Sequence, residues 1–277
     1  MKNKFVLILF FSVFLFGIIF WYFFIQNYYY SDKLIDAIRC ENIEKVQEII
    51  DKNPDSINTL PSFAPDGWNS IMNLRVQFPL VEACIVDNVE IVKLLIINGA
   101  DVNGNNGLTA LSVTYTGKRN NWYEISQILI ENGASLDYRT QYSGNDGSIL
   151  RDIVQVRPGS NASNYMPENN TEVINAFYYA IINCDHSNIN WMEVLQHSVS
   201  NDRLEIVRYL LDEGYCNVND TSIGITAIMF AAMNSNPEMV QLLLDYGADI
   251  TYMTDDGKTA YDYAVCTNNN EVMSMLQ

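Results

Sequence analysis

The chain has 277 residues, 33 acidic side chains against 16 basic ones and a formal charge of −17. A balance this acidic repels phosphate backbones and excludes nucleic acid as the expected partner. Five cysteines, an odd number without ligand spacing, fit neither a disulfide framework nor a metal site.

Residues 1–30 read as one element. Phe5 to Ile25 carry no charge and are mostly Phe, Leu, Ile and Val. At about 1.5 Å per residue such a run reaches roughly 30 Å as a helix, the thickness of a bilayer core. Trp21, Tyr22, Tyr28, Tyr29 and Tyr30 form an aromatic belt at its outer end. No small-x-small pair marks a cleavage site after the run, so the expectation is an uncleaved transmembrane anchor touching lipid through residues 5–25. Lys2 and Lys4 precede it, whereas Asp32 and Lys33 nearly cancel after it. The positive-inside rule then keeps the amino terminus cytoplasmic and places residues 31–277 outside the cytoplasm, in a single-pass membrane protein.

From residue 31 to 277 the chain is periodic. Glu90-Ile-Val-Lys-Leu-Leu-Ile-Ile-Asn-Gly99 returns as Glu124-Ile-Ser-Gln-Ile-Leu-Ile-Glu-Asn-Gly133, Glu205-Ile-Val-Arg-Tyr-Leu-Leu-Asp-Glu-Gly214 and Glu238-Met-Val-Gln-Leu-Leu-Leu-Asp-Tyr-Gly247. Thr226 lies 12 residues after Gly214, Glu238 another 12 on and Gly247 another 9, a period of 33. Apolar positions at near-helical spacing give each copy one buried stripe, and the closing glycine marks a left-handed helix end. A fixed period of this length predicts a solenoid of helix-turn-helix units, each burying its apolar face against its neighbours.

These residues resemble the ankyrin repeat, whose pattern is roughly D-x-x-G-x-T-P-L-H-x-A-A and then V-V-x-x-L-L-x-x-G-A-D-V-N. Gly99-Ala-Asp-Val-Asn103, Gly247-Ala-Asp-Ile250, Asp256-Gly-Lys-Thr-Ala260 and Gly224-Ile-Thr-Ala-Ile-Met-Phe-Ala-Ala232 carry the likeness. Ala replaces the family proline at 110, 227 and 260, and no His fills the family's hydrogen-bonding position. The resemblance implies an all-α fold of about seven units joined by hairpin loops. The first unit is degenerate, with Asn53 in place of the closing glycine, and the last is short. It also implies a non-catalytic module that binds a protein through hairpin tips and a concave helical face. On that geometry Asn105, Asn106, Tyr138, Tyr252 and Asp255 are candidate contacts. A structural membrane or envelope protein that self-associates is the alternative.

The register breaks near 54–70 and 157–171. The first insertion holds Phe63 and Trp68, which either anchor a partner or fold back over the first unit. The second is polar and without period. At Lys118-Arg-Asn-Asn-Trp122 a lengthened turn offers Arg119 and Trp122 to a partner, or is simply solvated. Cys84 and Cys266 read as small buried residues; Cys184 and Cys216 end second helices and are the one pair positioned to meet.

Apparent chemistry dissolves into the repeat. Asp101-Val-Asn-Gly-Asn-Asn-Gly107 begins like a calcium loop, but Asn106 occupies the glycine position and Ser112 the position of the bidentate Glu. Gly257-Lys-Thr259 lacks the upstream glycine of a phosphate loop, since Tyr252 stands there. His186 and His197 have no metal-ligand or triad spacing around them. No catalytic residue, cofactor, metal or small-molecule substrate is expected.

Overall fold

A computed structural model describes residues 26–59, 78–104, 109–116, 118–136, 149–158, 170–187, 189–234 and 236–277. The chain divides into two compact units. The first takes its described residues from 26–114 and 119–135, and the second from 115–118 and 136–277.

In the first unit the helices come in pairs. They are α1 (26–39) with α2 (Ile43–Lys52), α3 (Pro79–Ile85) with α4 (Val89–Ile97), and α5 (Ala110–Tyr115) with α6 (Trp122–Glu131). In the second unit α7 (Ile149–Val154) pairs with α8 (Asn170–Asn183), and α9 (Trp191–Ser200) with α10 (Leu204–Asp212). α11 (Ala227–Asn234) with α12 (Pro237–Asp245) and α13 (Ala260–Thr267) with α14 (Asn270–Met275) complete it. Each pair buries its own stripe, as with Ile91, Val92 and Leu95 in α4 or Met239, Val240 and Leu243 in α12, all fully inaccessible. Among the described residues the fold is helical apart from two-residue strands, of which Thr221–Ser222 against Ile225–Thr226 forms a hairpin.

Four second helices, α4, α6, α10 and α12, end alike. The Gly99 amide donates to the Ile96 carbonyl and the Ala100 amide to the Leu95 carbonyl, with Gly99 at φ +90°. This is the glycine-closed helix end expected from the sequence, and Gly133, Gly214 and Gly247 repeat it in phase. The first repeat differs. Asn53 stands at φ −150°, outside the left-handed region, and the chain runs on into a short 3-10 helix, Pro54–Asn58. Asn53 does not replace the glycine; a tighter helix does.

Asparagine does much of the joining. Asn42, Asn88, Asn236 and Asn269 cap second helices by accepting a first-turn amide. At the loop ends a different asparagine bridges to the next repeat with both side-chain atoms. Asn103 Nδ2 donates to Gly133 O (2.9 Å) while its Oδ1 accepts from Ser135 N (2.7 Å). Asn219 repeats this with Gly247 O and Asp249 N, and Asn58 with Gly99 O and Asp101 N. Inside four of the pairs the helix turn passes through a left-handed residue that is not glycine: Glu41, Asp87, Asp202 or Asn268. These acids are then used: Asn88 Nδ2 donates to Glu41 Oε2 and Asn236 Nδ2 to Asp202 Oδ1.

First helices start less uniformly. Thr259 closes a full capping box with Asp262, and Thr109 exchanges hydrogen bonds with Ser112. At Thr226 the equivalent residue is Met229, which has nothing to exchange. The Thr226 hydroxyl is buried and has no hydrogen-bond partner among the described residues. Removing an unsatisfied buried hydroxyl at constant shape is favourable, so Thr226→Val is expected to raise stability by about 1 kcal/mol in urea unfolding. A loss of stability would show that the hydroxyl is satisfied.

Among the described residues no helix is long and apolar enough to cross a membrane. This corrects the expected single-pass topology, with a cytoplasmic amino terminus and extracytoplasmic repeats. The apolar run 5–25 behind that expectation lies outside the described residues, as do most of the insertions near 54–70 and 157–171.

Candidate interaction surface

Of the nine candidate contacts, Phe63, Trp68, Asn105, Asn106 and Tyr138 lie outside the described residues. The remaining four fall into two groups.

Trp122 belongs to the interior of the first unit and Arg119 is partly buried, which corrects the reading of this pair as side chains offered to a partner. Trp122 is 5 % exposed, opening α6 with its ring edge-on to Tyr123 at 5.4 Å. An indole so covered has no face to offer. Arg119 is partly buried and its Nε donates to the Cys84 carbonyl at the end of α3, 2.9 Å away. Burial holds its guanidinium pKa below the ordinary arginine value. The turn itself is fastened, because the Asp87 carboxylate accepts from the Asn120 and Asn121 amides. A cation placed on the carbonyl end of a preceding helix satisfies an orphan acceptor and complements the helix dipole.

Tyr252 and Asp255 sit on the loop leading into α13, half-buried and exposed respectively. That loop is braced from within. Asp249 accepts from Thr251 through amide and hydroxyl, the Thr254 amide donates to Lys258 O, and Lys258 pairs with Asp256 at 2.8 Å. The Lys258 and Thr254 hydrogen bonds hold the Asp256 carboxyl below its usual range. Between the two candidates, Met253 is 62 % exposed.

The hairpin before α11 carries a residue that sequence reasoning missed. Ile223 and Gly224 form its two-residue tip, both left-handed, at φ +50° and +72°. Such a turn suits Asn-Gly, and a β-branched side chain is strained there. Ile223 is nonetheless 93 % exposed, so packing within the chain does not account for it. The available signal was Ile-Gly in a slot whose geometry favours Asn-Gly, visible only once the turn type is known.

Other chemistry-bearing groups make local contacts. Asp101 folds back on the Asn103 amide in its own turn. His186 is hydrogen-bonded to Ile181 O, and His197 stands 3.8 Å from Glu193, its pKa lowered by burial. None of the five cysteines is in a disulfide, Cys184 and Cys216 included. Burial pushes the Cys84 and Cys216 thiols up to about 12. Cys84 is interior as expected, whereas Cys266 is exposed, a correction. Among the described residues no group of three or more His, Cys, Asp or Glu is placed to hold a metal.

Two family models match the chain. One, described as ankyrin repeats in three copies, matches residues 162–254 and 216–277; the other, described as an ankyrin repeat, matches 77–105. Among solved structures, the human ASB11 ankyrin repeat domain superposes with a TM-score of 0.61 at 23% identity, over 88% of this chain and 95% of that one. A looser likeness is to the Bd0816 predatory endopeptidase from Bdellovibrio bacteriovorus in complex with immunity protein Bd3460. Its TM-score is 0.45 at 20% identity, over 88% of this chain and 96% of that one. No curated protein matches the sequence. The paired helices, glycine-closed in phase and bridged by asparagine, together with family models that cover more than half its length, place the chain in the ankyrin repeat family.

Proposed function

We propose that the chain is a non-catalytic protein-binding array that engages its partner through the hairpin tips before α11 and α13. Ankyrin repeats are protein-interaction modules, and the finer reading rests on one observation: a strained isoleucine, Ile223, held almost fully in solvent. Backbone strain of about 1 kcal/mol at an exposed apolar residue has no structural return within the chain. It is offset if the side chain is buried in a complex. Met253 presents a second apolar side chain on the following repeat, with Tyr252 and Asp255 beside it. Because the tip is pre-shaped by its turn and the next loop is braced by hydrogen bonds, little order is lost on docking.

Stability and binding are then opposed at one position. Ile223→Asn is expected to raise stability by about 1 kcal/mol, because Asn tolerates the left-handed region. The same change removes a binding anchor. The test is affinity isolation of the full chain from its own cells, comparing wild type with Ile223→Asp/Met253→Asp. A stoichiometric co-purifying protein lost from the double variant at unchanged melting temperature supports the reading. Undiminished recovery of that protein rejects it.

A further inference from the structure

The second unit carries a run of surface aromatic rings that neither the repeat architecture nor the hairpin reading requires. Trp191, first residue of α9, stacks on Tyr215 with centroids 4.3 Å apart and planes 28° apart. His186 meets both edge-on, at 5.3 and 5.7 Å. Tyr209 of α10 continues the run at 6.1 Å from Tyr215, and Tyr178 of α8 at 4.9 Å from Tyr209. His186 is exposed and the four other rings are only half-buried. Ile182, one turn on from Tyr178, is 78 % exposed.

Carboxylates border these rings. Burial first, and then the Glu205 charge, raise the Tyr178 hydroxyl pKa. Tyr209 is raised first by burial, then by Tyr215, with Glu213 adding to it. Asp185 adjoins His186 and is fixed by the Ser187 amide and hydroxyl. Among the described residues neither Glu205 nor Glu213 forms an ion pair. Ring faces with a negative quadrupole and carboxylates beside them are attractive to one kind of group, a cation with flat apolar faces and donors on its edge. That describes guanidinium better than ammonium. The chain's charge of −17 disfavours an anionic occupant.

We propose that the aromatic run His186–Trp191–Tyr215–Tyr209–Tyr178 docks an arginine carried on a basic segment of a protein partner. The guanidinium stacks on the rings, and Glu205 and Glu213 supply the acceptors. The inference rests on the reading of the chain as a protein-binding array, and adds a second contact surface and the chemistry of what it takes.

Two capped peptides of equal charge, one alternating Gly and Arg and the other Gly and Lys, are titrated against the full chain by calorimetry. The arginine peptide is expected to bind about tenfold more tightly. Trp191→Leu/Tyr215→Leu should erase that preference, whereas Trp191→Phe/Tyr215→Phe should keep most of it. Equal affinity of both peptides for the wild type overturns the proposal, since attraction is then by net charge alone. A preference that survives the leucine pair overturns it too. Running Ile223→Asp beside them separates the two readings. Arginine preference in the wild type together with undiminished partner capture by Ile223→Asp removes the hairpin reading alone, and loss of capture without any arginine preference removes this one alone.

Discussion

Replacing Arg203 with alanine is expected to destabilise α7–α10 by about 3 kcal/mol. Arg203 is 6 % exposed, and its Nη2 donates to Val156 O at 2.6 Å while Nε reaches Val154 O at 3.4 Å. Both carbonyls lie at the end of α7, where no intrahelical donor remains. Alanine would strand them in the interior and remove the charge that complements the helix end. Lysine should recover only part of the loss, because one ammonium cannot reproduce the diverging donors of a guanidinium. Repeat arrays need not unfold in one step, so amide exchange across α7–α10 is the appropriate measurement. Protection unchanged in the alanine variant would contradict the assignment.

Arg151→Ala is expected to cost about as much or more, on the order of 3–5 kcal/mol. Arg151 donates to Asp152 Oδ1 and Glu193 Oε1, both at 3.1 Å, and the two carboxylate side chains are 5% and 14% exposed. Truncating the arginine leaves two buried negative charges without their shared cation. The network itself need not be a net source of stability. Arg151→Met/Asp152→Leu/Glu193→Leu, which removes all three charges, is therefore expected to recover most of the loss in urea unfolding. A triple variant as unstable as the single one would mean that the ionic network itself supplies the stability.

These two arginines show where the sequence stops being informative. The repeat, its glycine-closed helix ends and its apolar stripes were legible because they are local: Gly99 and Leu95 belong to one helix end. Arg203 and Val154 are 49 positions apart, and nothing in Asp202-Arg203 beyond a polar turn says which carbonyl the guanidinium seeks. Arg119 was misread for the same reason. A cation and an indole on a lengthened turn look exposed until the Cys84 carbonyl and the Asp87 carboxylate are seen waiting for that turn. Asparagine was undervalued differently. Its abundance reads as composition, whereas Asn58, Asn103 and Asn219 each tie one repeat to the next with two hydrogen bonds. Asn53 was misplaced because a stand-in for glycine was sought where the chain tightens into a 3-10 helix. At the candidate surface, Tyr252 and Asp255 were proposed from loop position alone. Ile223 was not, because its significance lies in a backbone angle.

The most direct measurement is site-specific photo-crosslinking in the protein's own cells. A benzoylphenylalanine replaces Ile223 at the hairpin tip or, as control, the exposed Gln241 on α12. The account predicts one discrete adduct with a second protein from position 223 and none from 241. No adduct at 223, equal yields from both positions, or an adduct of twice the chain's own mass would contradict it, the last by showing that the tip meets another copy of the same chain.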